Sequence, residues 1–227
     1  MSRSEKPAIL SRYSKISDMP KTIPLFPLAG ALLLPRTDLP LNIYEPRYLQ
    51  MIDDAMYGER IIGIIQPTDG DFSENPTLEK VGCAGRITAY AETDDGRFVI
   101  TLTGIARFKI KKEFPARGDY RLAQVEYKPF ATDFIVEKDA QLVNRPQLIS
   151  AFKQYLDANN MSADWSEVNA VSTEVLVNTL SLMAPYPARE KQALLEAPDL
   201  KSRADVLVAL TEMALAKSGS ATAQRMQ

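Results

Sequence analysis

Apolar residues change their period midway through the stretch LPLNIYEPRYLQMIDDAM, residues 39–56. Leu39, Leu41 and Ile43 alternate, which predicts a half-buried strand. After Pro46, residues Tyr48, Met51, Ile52 and Ala55 recur at the spacing of one helix face. The passage between the two periods runs through Glu45, Pro46, Arg47 and Tyr48. Read as a structural joint, Glu45 places its charge at the positive end of the helix dipole. Pro46 takes the first helical position, where a missing N–H costs nothing. Arg47 would tie the corner to neighbouring backbone or to a carboxylate, and Arg47→Ala is expected to cost about 1–3 kcal/mol through the partner left unpaired. Gly58 suits a left-handed cap at the helix end. The competing reading is an active-site acid with an arginine clamp, and no second carboxylate at a defined spacing supports it.

Other short runs in the first half also read as β. TIPLFPL (22–28) is a short strand whose Pro24 and Pro27 confine it to an edge or an irregular position. The extended pieces LLLP and LPLNIY follow, and RIIGIIQP (60–67) is a strand of the fully buried type. TDGDFSENPT (68–77) is a polar loop. The clearest element is a hairpin over 85–110, where DDG (94–96) supplies the positive-φ positions of a tight turn. On its second strand Phe98, Ile100 and Leu102 point one way, and Val99 and Thr101 the other. YRLAQVEY (120–127) adds a further strand. About six short strands and one helix predict a small, partly open β-barrel.

The second half has the period of helices. Pro146 fits a first turn after Asn144, with Leu148, Phe152, Tyr155 and Leu156 as a face. A helix over 172–184 opens at Ser172 as N-cap and buries Val175, Leu176, Leu180 and Met183. Residues 187–197 form a short helix stopped before Pro198, and 199–217 a longer one with Ala204, Leu207, Leu210, Ala214 and Leu215 inward. Nine of the ten glycines lie at or before Gly118 and the tenth is Gly219. The shift puts a boundary near residue 130 and makes the fold class α+β. The expected organisation is an N-terminal tail (1–20), a β subdomain (21–130), a helical subdomain (131–217) and a flexible tail (218–227).

Composition mainly removes functions. There is no histidine, which excludes Ser-His-Asp and Cys-His catalysis and histidine-ligated zinc. One cysteine, Cys83, cannot form an internal disulfide or a thiolate cage, and reads as a small buried hydrophobe. No phosphate-binding Gly-Lys-Ser/Thr loop occurs, and no metal or cofactor is implied. The formal net charge of −2 offers no long-range attraction to nucleic acid or anionic membrane. No apolar run is long enough to span a bilayer and no secretory signal is visible, so the expected location is cytoplasmic. The stripe ARFKIKK puts Arg107, Lys109 and Lys111 on one strand face and Phe108 and Ile110 on the other. It reads as a solvated face, with RNA binding as the alternative. SAFK (150–153) and KSG (217–219) match β-lactamase-type motifs by coincidence. Trp165 is expected to anchor the helical half.

Four ordered segments carry a family resemblance: IPLFPLAGALLLPRTDLPLNIYEPRYLQMIDDA, VGCAGRI, DDGRFVITLTGIARFKI and PAREKQALLEAPDLKSRADVL. Together they resemble the Lon substrate-binding domain, in the pattern of stand-alone bacterial Lon-domain proteins, over about residues 22–215. The resemblance implies a PUA-like pseudo-barrel followed by a helical subdomain, with Glu45, Pro46, Arg47 and Tyr48 as a structural signature. In full-length Lon proteases this region precedes an ATPase and a Ser-Lys peptidase, and the sequence ends where those would begin. Where many relatives carry histidine, this chain has Asn42, which favours a structural role for the position. The function implied is non-catalytic recognition of unfolded or hydrophobic polypeptide, or of a protein partner such as an ATP-dependent protease. No nucleic acid, membrane or cofactor is expected. Leu32, Leu33 and Leu34 are the candidate contacts, because three consecutive leucines cannot all point inward on an extended strand. The cleft between barrel and helices is a second candidate. A PUA-like RNA binder and a hydrolase using Glu45 or Asp94/Asp95 are the alternatives.

Overall fold

A computed structural model describes residues 12–68, 71, 73, 75–114 and 119–225, with side chains to residue 216. Among these the first half holds β1 (Thr22–Pro27), β2 (Asp38–Ile43), α1 (Pro46–Tyr57), β3 (Ile61–Pro67), β4 (Leu78–Glu92), β5 (Phe98–Phe114) and β6 (Arg121–Glu126). The second half holds α2 (Arg145–Ala158), α3 (Trp165–Ala170), α4 (Thr173–Met183), α5 (Ala188–Glu196) and α6 (Leu200–Arg225). A 3₁₀ segment, Lys128–Phe134, joins the halves. Residues 69, 70, 72 and 74 of the polar loop, residues 1–11 of the expected N-terminal tail and residues 226–227 lie outside the described residues, as do the side chains of KSG.

β5 organises the sheet because it is long enough to serve three neighbours. Its Phe98–Thr103 stretch pairs with β2, its Lys109–Phe114 stretch with β6, and β4 runs beside most of it. β6 pairs in turn with β1, β1 with β3, and β3 with β4, so five strands close on themselves with β2 appended to β5. β1 lies between two strands, yet its prolines remain tolerable. Pro24 faces β6 where the β3 pairing has not begun, and Pro27 faces β3 where the β6 pairing has ended. Each therefore sits at a local edge, where no ladder N–H is required. The hairpin turn closes as its sequence predicts, with Gly96 at φ 76° and its N–H donating to the Thr93 carbonyl.

Both faces of this sheet are covered. Ile23, Leu25, Ile61, Ile65 and Phe108 pack on one side with Tyr13 and Met19, so residues 12–20 lie against the β-structure. The opposite side joins Met51, Ile62 and Leu102 to Leu148, Leu176, Leu194 and Leu207 of the helices in one continuous core. Glycine permits a close approach at β4. A Cβ on Gly82 would stand 2.6 Å from the Phe108 ring.

Local signals mostly hold. α1 buries Tyr48, Met51, Ile52 and Ala55 as its period predicts. Gly58 is not left-handed, with φ −106°, and the positive φ falls at Arg60 instead. α2 is capped by the Asn144 side chain, which accepts from the Gln147 N–H, and buries Leu148 and Phe152. α6 continues in backbone to Arg225, past the expected end at 217. Its buried Thr211 hydroxyl lies 2.8 Å from that of Tyr186. Trp165, at the first position of α3, is only half-buried.

The largest departure is α4. Its buried face is Glu174, Leu176, Val177, Asn178 and Ser181, while Val175 and Met183 are exposed. The polar spacing 174, 178, 181 reads as a solvent face in sequence. Buried partners for Glu174 and Asn178, on segments far away in the chain, turn it inward, while Ser181 donates to the Val177 carbonyl of its own helix.

Candidate functional site

The structure places the sequence-predicted residues in three different settings. Leu32, Leu33 and Leu34 are all buried, which removes them as a polypeptide-binding surface. The premise of an extended strand fails: residues 31–34 have no regular secondary structure, and Gly30 (φ 71°) and Arg36 (φ 64°) bound the segment. An irregular backbone lets three consecutive side chains share one interior. Glycine makes the room: a Cβ on Gly85 would lie 2.7 Å from Leu33, and one on Gly104 would collide with the Leu34 carbonyl.

The Glu45–Tyr48 corner has the geometry of a joint between β2 and α1. Glu45 is the N-cap residue of α1, but its side chain makes no capping bond. Its carboxylate accepts from Arg47 Nε at 2.9 Å, and Arg47 Nη2 stands 2.8 Å from the same oxygen. The guanidinium lies 4.7 Å from the centre of the Tyr48 ring, which packs on Phe26 at 4.3 Å. Burial pushes the Tyr48 hydroxyl above its ordinary pKa, with Arg47 pulling the other way. The arrangement stacks a charge pair on an aromatic pair and presents no second acid. Asn42 is exposed on β2, in register with Val99.

The basic stripe does not survive folding. Arg107 is 1% exposed, while Lys109 and Lys111 remain at the surface and Lys111 pairs with Glu126 at 2.9 Å. Asp94 and Asp95 occupy the exposed hairpin turn, where a hydrogen bond from Thr93 lowers the Asp95 carboxyl. Cys83 is buried on β4, in register with Arg107 of β5, and burial pushes its thiol up, with the Asp133 carboxylate adding to the shift. Ser150 and Lys153 are both exposed on α2. Among the described residues no group of three or more acidic or cysteine side chains is placed to hold a metal. No described helix is long and apolar enough to cross a membrane.

The residues that sequence reasoning missed meet where barrel and helices join. Arg107 donates twice to Asp133, through Nε (2.9 Å) and Nη2 (2.7 Å), and its backbone N–H reaches the same carboxylate. Its Nη1 donates to the carbonyls of Leu195 and Ala197, and the guanidinium lies over Phe130 at 4.4 Å. Arg36 pairs with Glu174 and donates to the Asp133 carbonyl at 2.6 Å. Glu174 also accepts from the Glu137 backbone N–H, while Glu137 accepts from the Glu174 N–H and from the Ser172 hydroxyl. Ser172 is thus the N-cap residue of α4 by position only, and Glu137 supplies the capping oxygen from another segment.

Arg36, Glu137, Ser172 and Glu174 of this network also line a groove of about 570 Å³. Arg36, Thr37 and Asp38 make one wall, Val136 and Glu137 one end, and Val175, Thr179, Leu182 and Met183 of α4 the other wall. Val136 (67%) and Met183 (76%) are among the most exposed apolar side chains of the described residues, and Val175 and Ile135 stand open beside them. Exposed aliphatic groups over a rigid, ion-paired base form a surface suited to an apolar segment. This is the barrel–helix cleft of the sequence analysis, lined by side chains that the period of α4 assigns inward.

Comparison with known proteins gives the fold and groove a context. The profile of the ATP-dependent protease La (LON) substrate-binding domain matches residues 22–212. The chain belongs to the LON substrate-binding domain family. Among relatives, the Lon protease of Anaeromyxobacter dehalogenans is 26% identical over 208 residues, covering 85% of this chain and 23% of that protein. The Lon protease of Flavobacterium johnsoniae is 28% identical over 196 residues, covering 82% and 23%. This LON-domain chain therefore spans about a quarter of the length of such relatives. In fold it resembles the Lon N-terminal domain protein of Xanthomonas campestris, with TM-score 0.59, 22% identity and 84% of this chain and 98% of the other covered. It also resembles the N-terminal domain of the Mycobacterium avium complex Lon protease, with TM-score 0.62, 18% identity and coverage of 85% and 98%. The α+β reading, a pseudo-barrel followed by helices, is the LON-domain fold.

Proposed function

We propose that this LON domain is a non-catalytic recognition module that holds an apolar segment of unfolded polypeptide in the groove between Arg36–Asp38 and α4. The carrying observation is that the exposed Val136, Val175 and Met183 line one groove with the ion-paired Arg36 and Glu174 and with Glu137, whose N–H holds Glu174. Aliphatic side chains held at fixed positions around a concave site gain free energy by covering an apolar partner, without first having to be ordered. Membership of a family defined by substrate binding supports the same reading. Delivery of the bound segment to an ATP-dependent protease, as a partner, belongs to this proposal. The RNA alternative loses its central cation with the burial of Arg107.

The test is fluorescence anisotropy with a permanently unfolded polypeptide, its native counterpart and a single-stranded RNA. Preference for the unfolded chain, weakened about tenfold or more by Val175→Asp or Met183→Asp with an unchanged circular dichroism spectrum, is the expected result. Equal binding by these variants, or binding to RNA alone, overturns the assignment.

A further inference from the structure

Arg203 of α6 is a buried cation without a carboxylate of its own. It is 3% exposed; Nε donates to the Leu194 carbonyl at 3.0 Å and Nη1 to Asn178 Oδ1 at 3.0 Å. Its Nη2 is, among the described residues, the buried side-chain nitrogen with no hydrogen-bond partner in the protein. The carboxylates nearby are committed elsewhere. Asp133 is taken by Arg107, Glu174 by Arg36 and the Glu137 N–H, and Asp199 by the Ser202 N–H at 2.7 Å. Burial and repulsion from Arg107 push the guanidinium down to about 9, which leaves it charged at neutral pH.

Arg203 also lines a cavity of about 20 Å³ together with Arg36 and Arg107, facing Asp133, Glu174 and Asp199, while Lys138 at the same cavity pairs with Asp139 at 3.2 Å. That volume admits one occupant of about the size of water. A buried charge with two neutral acceptors is costly, and a neutral occupant would satisfy Nη2 without compensating the charge. We infer that the junction cavity is an anion site that takes a single halide-sized ion against Arg203, with Arg36 and Arg107 as the neighbouring cations. Since Arg36 reaches the site from the loop after β1, Arg107 from β5 and Arg203 from α6, the ion would clamp the barrel to the helices. The clamp lies directly behind the groove, with which the cavity shares Arg36 and Glu174.

Thermal unfolding of the full chain in sodium chloride, bromide, gluconate and sulfate, at matched ionic strength, tests this. A ligand that binds only the folded state raises the midpoint by mass action. Chloride and bromide are expected to raise it by about 2–4 °C over gluconate, at about 0.3 M salt. Arg203→Met should erase the halide-specific part. Equal midpoints in all four salts mean that water alone occupies the cavity, and overturn the site. A halide gain that persists in Arg203→Met places the ion elsewhere and overturns it equally. Should that variant fail to fold, anomalous diffraction from wild-type crystals soaked in bromide decides. A peak within hydrogen-bond range of Arg203 Nη2 supports the site, and its absence refutes it.

Discussion

Two arginine–carboxylate pairs, alike in chemistry, serve this LON domain in opposite ways. Arg47 and Glu45 meet at a surface corner, two residues apart, with side chains 34% and 43% exposed. Arg107 and Asp133 meet in the interior, from β5 and the 3₁₀ connection, with side chains 1% and 7% exposed. At the corner water already solvates both ions, so the pair contributes little beyond holding a guanidinium on Tyr48. At the junction neither ion has water to return to. Its value lies in the directions of its bonds. One guanidinium fixes Asp133 and the carbonyls of Leu195 and Ala197, and so sets where the helical half meets the barrel. The geometry of the groove depends on the second pair and is nearly indifferent to the first.

The sharpest break in that contrast is Arg107→Met. It keeps much of the volume but leaves Asp133 ionised, buried and without its main partner, which is expected to cost about 3–5 kcal/mol. The measurement is urea denaturation followed by circular dichroism. Arg107→Met combined with Asp133→Leu should recover part of the loss, because an apolar pair of similar size needs no counter-charge. If the single variant unfolds at the wild-type midpoint, the junction pair does not hold the two halves together.

Next in size is Leu34→Ala, a loss of about 3 kcal/mol from removing a buried side chain that its surroundings cannot collapse onto. Leu34 sits against Gly104, and the same experiment reads it. An effect below about 1 kcal/mol would return residues 32–34 to the surface role expected from their sequence, since exposed substitutions stay near that scale.

These two sites also show what a sequence can reveal. Barrel strands and helix faces were legible wherever the side-chain period matched one buried side, as in Phe98, Ile100 and Leu102 or Tyr48, Met51, Ile52 and Ala55. The Glu45–Tyr48 corner was legible because Glu45 and Arg47, the ion pair that marks it, are two residues apart. The groove was not. Burial of Glu174 and Asn178 depends on Arg36, Pro35 and Arg203, which lie at least 25 residues away in the chain. A polar stripe reads as solvent-facing until the buried cations that satisfy it are known. Likewise Leu32–Leu34 could be misplaced because alternation presupposes a strand, and the segment is not one. The residues of a junction are set by long-range pairing, which leaves no periodic trace.

The smallest effect concerns the corner itself. The value of about 1–3 kcal/mol expected for Arg47→Ala assumed a buried partner. Glu45 is half-open to solvent, so after the substitution water replaces the guanidinium at its carboxylate. What is lost is a surface pair and the stacking on Tyr48, together below about 1 kcal/mol. Salt separates the two contributions. Screening weakens the ion pair but leaves the contact between guanidinium and ring largely intact. The difference between wild type and Arg47→Ala should therefore shrink in high salt without vanishing, and Arg47→Lys should lose most of what the flat guanidinium gains on the ring. A loss above about 2 kcal/mol for Arg47→Ala would mean that the corner carries strain or long-range contacts beyond its own four residues, and would erase the contrast with Arg107.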